Sequence, residues 1–166
     1  MTLTHDLRHE LDRAQLDYDL IEHRRTETAG DEASVIGVPL ERVAKTIVLA
    51  SGDRFVRAVL PASEHLDLHK VRRHLDDKHA RLLSEAELAL AYPMYELGAV
   101  PPFGVPAGDQ VLFDRRLTQH DSVLLEAGSH DESLRMKTND LLTLSGAEIA
   151  DIASDEPDHP SRSPAA

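Results

Sequence analysis

The chain has 166 residues and a formal net charge of −12 at pH 7, a length suited to one domain and a charge that argues against a broadly basic nucleic-acid surface. Cysteine is absent, which removes disulfides, thiolate metal sites and cysteine nucleophiles together. Aromatic residues make up 4%, too few for a base-stacking platform, and no N-terminal apolar segment resembles a signal peptide or membrane span, so a cytoplasmic protein without a membrane partner is expected.

Leu3, Leu7, Leu11 and Ala14 recur at helical spacing, and Thr2 or Thr4 can cap the start, which predicts an amphipathic helix over about 4–16. Tyr18 to His23 alternates as a short strand ending at a polar mouth. Thr28-Ala29-Gly30-Asp31 has capping-box spacing with Asp in place of Glu or Gln, and predicts a brief helix from Glu32 to Ile36, stopped by Gly37 and Pro39.

Val43-Ala44-Lys45-Thr46-Ile47-Val48-Leu49-Ala50 is an apolar, β-branched run interrupted by one lysine. It is closed by Ser51-Gly52-Asp53 and followed by a second run, Arg54 to Leu60, so the pair reads as a buried hairpin. Alternation puts Val43, Lys45, Ile47 and Leu49 on one face and Ala44, Thr46, Val48 and Ala50 on the other. An ammonium is rarely buried alone, so Lys45 either points from a strand end into a cleft or snorkels to solvent.

Ser63 can cap a helix from about Glu64 to Leu75. His65 and His69 are four apart there, but no third ligand has suitable spacing and no metal is expected. Lys70, Arg72, Arg73, Lys78 and Arg81 form a locally basic run, either a phosphate contact or a solvated helix face. A short strand at 80–83 leads to Ser84-Glu85-Ala86-Glu87, a capping box for a helix to Ala91. Gly98-Ala99-Val100-Pro101-Pro102-Phe103-Gly104 reads as a stiff loop with few main-chain donors, its glycines allowing close approach of a ligand or simply a turn. Strands are predicted at Gln110 to Asp114, Ser122 to Ala127 and Leu134 to Lys137. Gly128-Ser129-His130 lies between the last two, a polar turn whose serine and histidine can donate hydrogen bonds or relay a proton. Asn139 can cap a short helix and Ser145 a last one, Gly146 to Ala153. From Asp155 onward the chain is polar and Pro-rich and is expected to be disordered, leaving one domain over 1–154.

The strand around Lys45, the loop Gly98 to Gly104 and the turn Gly128-Ser129-His130 occur in this order and spacing. From about Tyr18 to Ile152 the chain resembles the YbaK/ProX family of aminoacyl-tRNA deacylases, also found as the editing insert of bacterial prolyl-tRNA synthetases. The resemblance implies an α/β (α+β) domain with a mixed, barrel-like sheet and peripheral helices. It also implies a free-standing hydrolase that acts on the ester between a wrong amino acid and the 3′ adenosine of a transfer RNA, without a cofactor. Carried over by position, Lys45 resembles the family's essential lysine, Gly98 and Gly104 bracket the loop that lines the pocket, and Gly128 to His130 resemble the turn facing the scissile ester; by its chemistry His130 is the candidate proton relay. Thr46, Gly98, Val100, Pro101, Pro102, Phe103, Gly104, Gly128 and Ser129 fall at substrate-binding positions. Leu20, Ile21, Val35, Ile36 and Ile47 are candidate pocket formers. No G-x-S-x-G is present, so hydrolysis without a covalent enzyme intermediate is expected. The implied partner is the 3′ acceptor end of an aminoacylated transfer RNA, and the protein is expected as a monomer or weak dimer. The alternative is a non-catalytic adaptor that holds the same RNA end or a nucleotide beside a synthetase.

Overall fold

In the computed structural model, which describes residues 5–155, the hairpin around Gly52 is the centre of one mixed sheet. The chain order is α1 (His5–Arg13), β1 (Tyr18–Glu22), α2 (Ala29–Ile36), β2 (Val43–Ser51), β3 (Arg54–Pro61), α3 (Leu68–Leu75) and β4 (Arg81–Leu82). It continues with α4 (Glu85–Ala91), β5 (Gln110–Asp114), β6 (Ser122–Glu126), β7 (Glu132–Lys137), α5 (Thr138–Ser145) and β8 (Glu148–Ala150). Short 3₁₀ turns at Leu40–Arg42 and Arg115–Gln119 lead into β2 and out of β5.

The strands pair in the order β1-β7-β6-β2-β3-β5-β8, with β4 added beside β2. Ser51 pairs with Arg54, so Gly52 and Asp53 alone connect β2 to β3, and Gly52 takes φ +62°. That positive φ is where a glycine is needed. β2 meets β3 antiparallel and β6 in parallel; β5 lies parallel to both β3 and β8. This is an α+β domain with helices packed around the sheet.

Alternation along β2 sorts its side chains as the strand period requires. Ala44 and Val48 join the larger core with Leu7 and Leu11 of α1, Phe113, Leu125, Leu134 and Leu141. Leu49 packs on the opposite face with Val56, Val71, Leu112 and Ile152, while Val43 meets Ala33 and Leu124. Leu7 and Leu11 are fully buried, so one stripe of α1 closes the main core; Leu3, Thr2 and Thr4 lie outside the described residues.

Local signals held where capping chemistry was self-contained. Thr28 accepts from the Asp31 amide and Gly37 closes α2 in the left-handed conformation, although the helix begins at Ala29. Ser84 and Glu87 form the full capping box of α4.

Two helices differ from the sequence expectation, and for the same reason. The expected start of α3 at Glu64 fails because Asp67, not Ser63, caps it, accepting from the His69 and Lys70 amides. Leu66 instead bridges to Ala153, and the Asp67 amide donates to the Ile152 carbonyl. The expected last helix, 146–153, is absent. Gly146 ends α5 at φ +63°, Ser145 bonds back to the Leu141 carbonyl, and Glu148–Ala150 pairs with β5. The Asp114 carboxylate then accepts from the Ile152 and Ala153 amides. Tertiary pairing outweighs local helix spacing in both places, through an isolated bridge to Ala153 at Leu66 and through the edge of β5 at Glu148–Ala150. α5 starts at Thr138, which puts Asn139 inside it, and β7 starts two residues before Leu134. Asp155 is described and meets Lys70 and Arg116; the rest of the expected tail, 156–166, lies outside the described residues.

Candidate active site

β2 is paired unevenly along its edge opposite β3. β6 covers Val43 and Ala44, and β4 covers Leu49 and Ala50, while no strand pairing covers Lys45 to Ile47 on that side. The Leu83 amide donates to the Val48 carbonyl on this edge. Main-chain groups alternate edges along a strand, so the N–H and C=O of Thr46 are directed the same way. A cavity of about 210 Å³ lies there, lined by Ala44, Lys45, Thr46 and Ile47 of β2, by Ala29 and Glu32 of α2, and by Glu27, Gly98, Val100 and Glu126. That volume is the share of about seven liquid waters and lies below the roughly 300–1,000 Å³ of drug-sized pockets, so it takes a small group.

Lys45 is half-buried, and its Nζ donates to the Glu64 carbonyl oxygen. Burial lowers its pKa from the usual lysine value, with the Glu64 carboxylate opposing. Glu32 is only 1% exposed. Burial pushes its carboxyl up to about 7; the Ser133 hydroxyl bond opposes the shift and Glu126 adds to it. The Ser133 hydroxyl donates to Glu32 Oε1 and lies 2.9 Å from His23 Nε2. His23 Nδ1 sits 2.6 Å from the Arg24 carbonyl, which can only accept, so Nδ1 carries a proton. Glu32, Ser133 and His23 therefore form one connected polar chain behind the cavity. Burial also raises Glu126, against the pull of His130.

Gly98 (φ +81°) packs over His130, whose Cε1 would lie 3.6 Å from an added Cβ. His130 is held from all sides. Its amide donates to Glu96 Oε2, its carbonyl accepts from Thr26, its Nε2 meets the Leu97 carbonyl, and its Nδ1 is 3.1 Å from Glu126 Oε2. It stands behind Gly98 and Glu126 and does not line the cavity. Ser129 is buried and donates to Asp131, and the Gly128 amide donates to the Ala99 carbonyl, so this turn braces the glycine loop from behind.

The other half of the Gly/Pro loop turns away. Arg57 of β3, 1% exposed, bonds Asp109 and the carbonyls of Pro101, Phe103, Gly104, Val105 and Pro106. Five carbonyls without strand partners are thereby satisfied by one planar cation. Pro102, Phe103 and Gly104 line a separate cavity of about 220 Å³ beside Arg57 and Glu10. Of the residues singled out in the sequence, Lys45, Thr46, Ile47, Gly98 and Val100 share the cavity at β2. Pro101 serves the Arg57 staple. Leu20 packs on the main core, Ile21 and Ile36 pack with Val43 and Leu124, and Val35 lies outside the lining.

Sequence reasoning missed Glu32, Glu126 and Arg57. Glu32 faces the cavity with Ala29, three residues earlier on α2, yet an acid in a first helical turn ordinarily serves the helix dipole. The basic run is partly consumed by the fold: Lys70 binds Asp151, Asp155 and the Ala153 carbonyl, Arg72 binds the Ala80 carbonyl, and Arg81 pairs with Glu87. His65 precedes α3, so it does not share a helix face with His69. Among the described residues no group of three or more His, Asp or Glu could hold a metal ion.

Residues 23–144 match the family model of the aminoacyl-tRNA editing domain. The chain belongs to this family. The matched segment contains every residue that lines the cavity at β2. The editing-domain fold recurs in the crystal structure of hypothetical protein APE2540, with a TM-score of 0.83 at 21% identity, covering 90% of this chain and 99% of that one. It recurs again in a proposed trans-editing enzyme for prolyl tRNA synthetase, with a TM-score of 0.80 at 22% identity, covering 92% of this chain and 99% of that one. Such identities establish a shared fold. No curated protein sequence matches the chain.

Proposed function

We propose that this editing-domain protein is a deacylase that hydrolyses the ester of a mischarged transfer RNA, with the aminoacyl group seated in the cavity at the open edge of β2. The observation that carries the reading is the meeting, in one small hollow, of a half-buried lysine, an unpaired stretch of strand main chain and a glycine turn. Water adds its oxygen to the ester carbonyl carbon, the bond to the 3′ oxygen breaks, and that oxygen takes up the proton the water gives, through the neighbouring ribose hydroxyl. The products are a free amino acid and an intact acceptor end. The Thr46 N–H is a donor for the developing oxyanion, fixed by the sheet before the substrate arrives. The Lys45 ammonium, released from the Glu64 carbonyl, orients the terminal nucleotide or polarises the ester carbonyl.

The reading also fits the need for such an enzyme. A synthetase pocket distinguishes a missing methylene by only about 1–3 kcal/mol, so small errors call for a second sieve. A small cavity with a constricted apolar lining of Ala29, Ala44 and Val100 is a sieve of that kind.

The test incubates the protein with a panel of mischarged transfer RNAs, in chelator, and follows amino-acid release. The native protein is expected to release at least one small amino acid. Lys45→Ala, with an unchanged melting profile, is expected to release it about 100-fold more slowly or worse. RNA binding without release by the native protein would instead support an adaptor.

A further inference from the structure

Two carboxylates line the cavity, and each has a buried oxygen without a hydrogen-bond donor. Glu32 Oε1 receives the Ser133 hydroxyl, but Oε2 is buried without a hydrogen-bond partner. Glu126 Oε2 is likewise buried without a hydrogen-bond donor, and His130 Nδ1 lies 3.1 Å from it, an ion pair only when the imidazole is protonated. A buried carboxylate oxygen without a donor is costly, and two such oxygens on one hollow repel each other. Lys45 lines the same hollow, but its ammonium donates to the Glu64 carbonyl. A compact group with several N–H donors and a positive charge complements both oxygens.

We propose that Glu32 and Glu126 form the seat of the substrate's α-ammonium group, so that the cavity accepts aminoacyl esters with a free amine and rejects N-acylated ones. The proposal rests on the cavity being the aminoacyl site, as argued above. An ammonium presents three N–H donors at tetrahedral angles, enough to reach both empty oxygens and leave one to spare. A hydroxyl offers one donor and no charge. An N-acyl amide offers one donor, no charge and added bulk, which a hollow of about 210 Å³ has little room to hold.

The seat is built from behind. Glu32 is positioned by α2, whose start is fixed by the Thr28 cap and whose end is fixed by Gly37, and its carboxylate is aimed by Ser133 with His23 beyond it. Glu126 ends β6 and is backed by His130, which Glu96, Leu97 and Thr26 immobilise. Ester and ammonium are separated by one carbon in every aminoacyl group. Holding the ammonium therefore fixes the carbonyl against the Thr46 edge of β2, independently of the side chain being sorted.

The experiment compares one mischarged transfer RNA carrying either the free or the N-acetylated amino acid, in single-turnover release by the native protein. In parallel it measures binding of the non-hydrolysable probe 3′-alanylamino-3′-deoxyadenosine and its N-acetyl form. Acetylation is expected to slow release and weaken binding by about tenfold or more, the scale of losing one charge-assisted hydrogen bond. Glu32→Gln and Glu126→Gln, each checked by thermal melting, are expected to weaken the free-amine probe and narrow its advantage over the acetylated one. Equal handling of free and acetylated forms by the native protein overturns the proposal. So does an unchanged free-to-acetyl ratio in both folded variants. If neither RNA is deacylated but the free-amine probe still binds preferentially, the deacylase reading fails and the ammonium seat stands.

Discussion

Glu32 shows most plainly how a single residue can bind function to stability. In an unfolded chain its carboxyl titrates at the usual glutamate value, whereas in the fold burial holds it protonated up to about 7. Between those two values the folded state binds more protons than the unfolded one, so stability must fall as pH rises through the window and level off above it. The groups facing Glu32 are Ser133, Glu126, His23 and His130, of which Glu126 strengthens the shift and the others oppose it. Urea unfolding of the native protein and of Glu32→Gln from pH 4.5 to 8 isolates this contribution. The native protein is expected to lose stability relative to the variant across the window, by up to roughly 3 kcal/mol. A flat or rising difference would show that Glu32 is not proton-biased. Keeping such a group in a cavity wall lowers stability when the cavity is empty, which is the expected signature of a residue retained for binding.

At the scale of elements, the loop from Gly98 to Gly104 has two ends with different tasks. Gly98 lets main chain pass over His130 at the cavity, while Gly104 lets the loop pass beneath α1. A Cβ on Gly104, at φ +93°, would collide with the Leu7 side chain and sit 2.9 Å from Tyr95 Oη. Gly108 has a similar φ, +97°, but its Cβ would meet nothing within 4 Å. Comparing Gly104→Ala with Gly108→Ala therefore separates the collision from backbone strain. Gly108→Ala is expected to lower stability by about 1 kcal/mol and Gly104→Ala by a further 1–3 kcal/mol, read as the shift in denaturant midpoint. Equal losses would mean that the loop moves freely against α1.

The same scale explains what was legible beforehand. The β2–β3 hairpin, α2 and α4 were visible because their signals are complete within a few residues: a Gly-Asp connection, a Thr28 cap with Gly37, a Ser84/Glu87 box. The start of α3 and the strand β8 were not, because each depends on an edge contributed from far along the chain. Lys45, Thr46 and Gly98 stood out as a polar residue in an apolar run and glycines beside prolines. Glu32 did not, since what makes it unusual is burial against Ser133, 101 residues away. Arg57 carries no local signal within the run Arg54 to Leu60, and only the fold brings the carbonyls of the 101–106 loop onto it.

Across the whole molecule, charge and cavity agree on a limited grip. A net charge of −12 and a basic run partly tied into internal pairs leave little surface for the body of a transfer RNA, while the hollow at β2, of about 210 Å³, is proposed to take only its aminoacyl end. On this reading the hollow at β2 receives the acyl group, and neither the cavity beside Arg57 nor a groove lined by Arg72 and Arg73 of α3 with Asp76 and Lys78 after it does. Amide chemical-shift mapping with 3′-alanylamino-3′-deoxyadenosine tests it directly. The largest shifts are expected at Thr46, Ile47, Gly98 and Glu126. Shifts confined to residues 102–109 or 69–79, with the Thr46 and Gly98 amides unmoved, would contradict it.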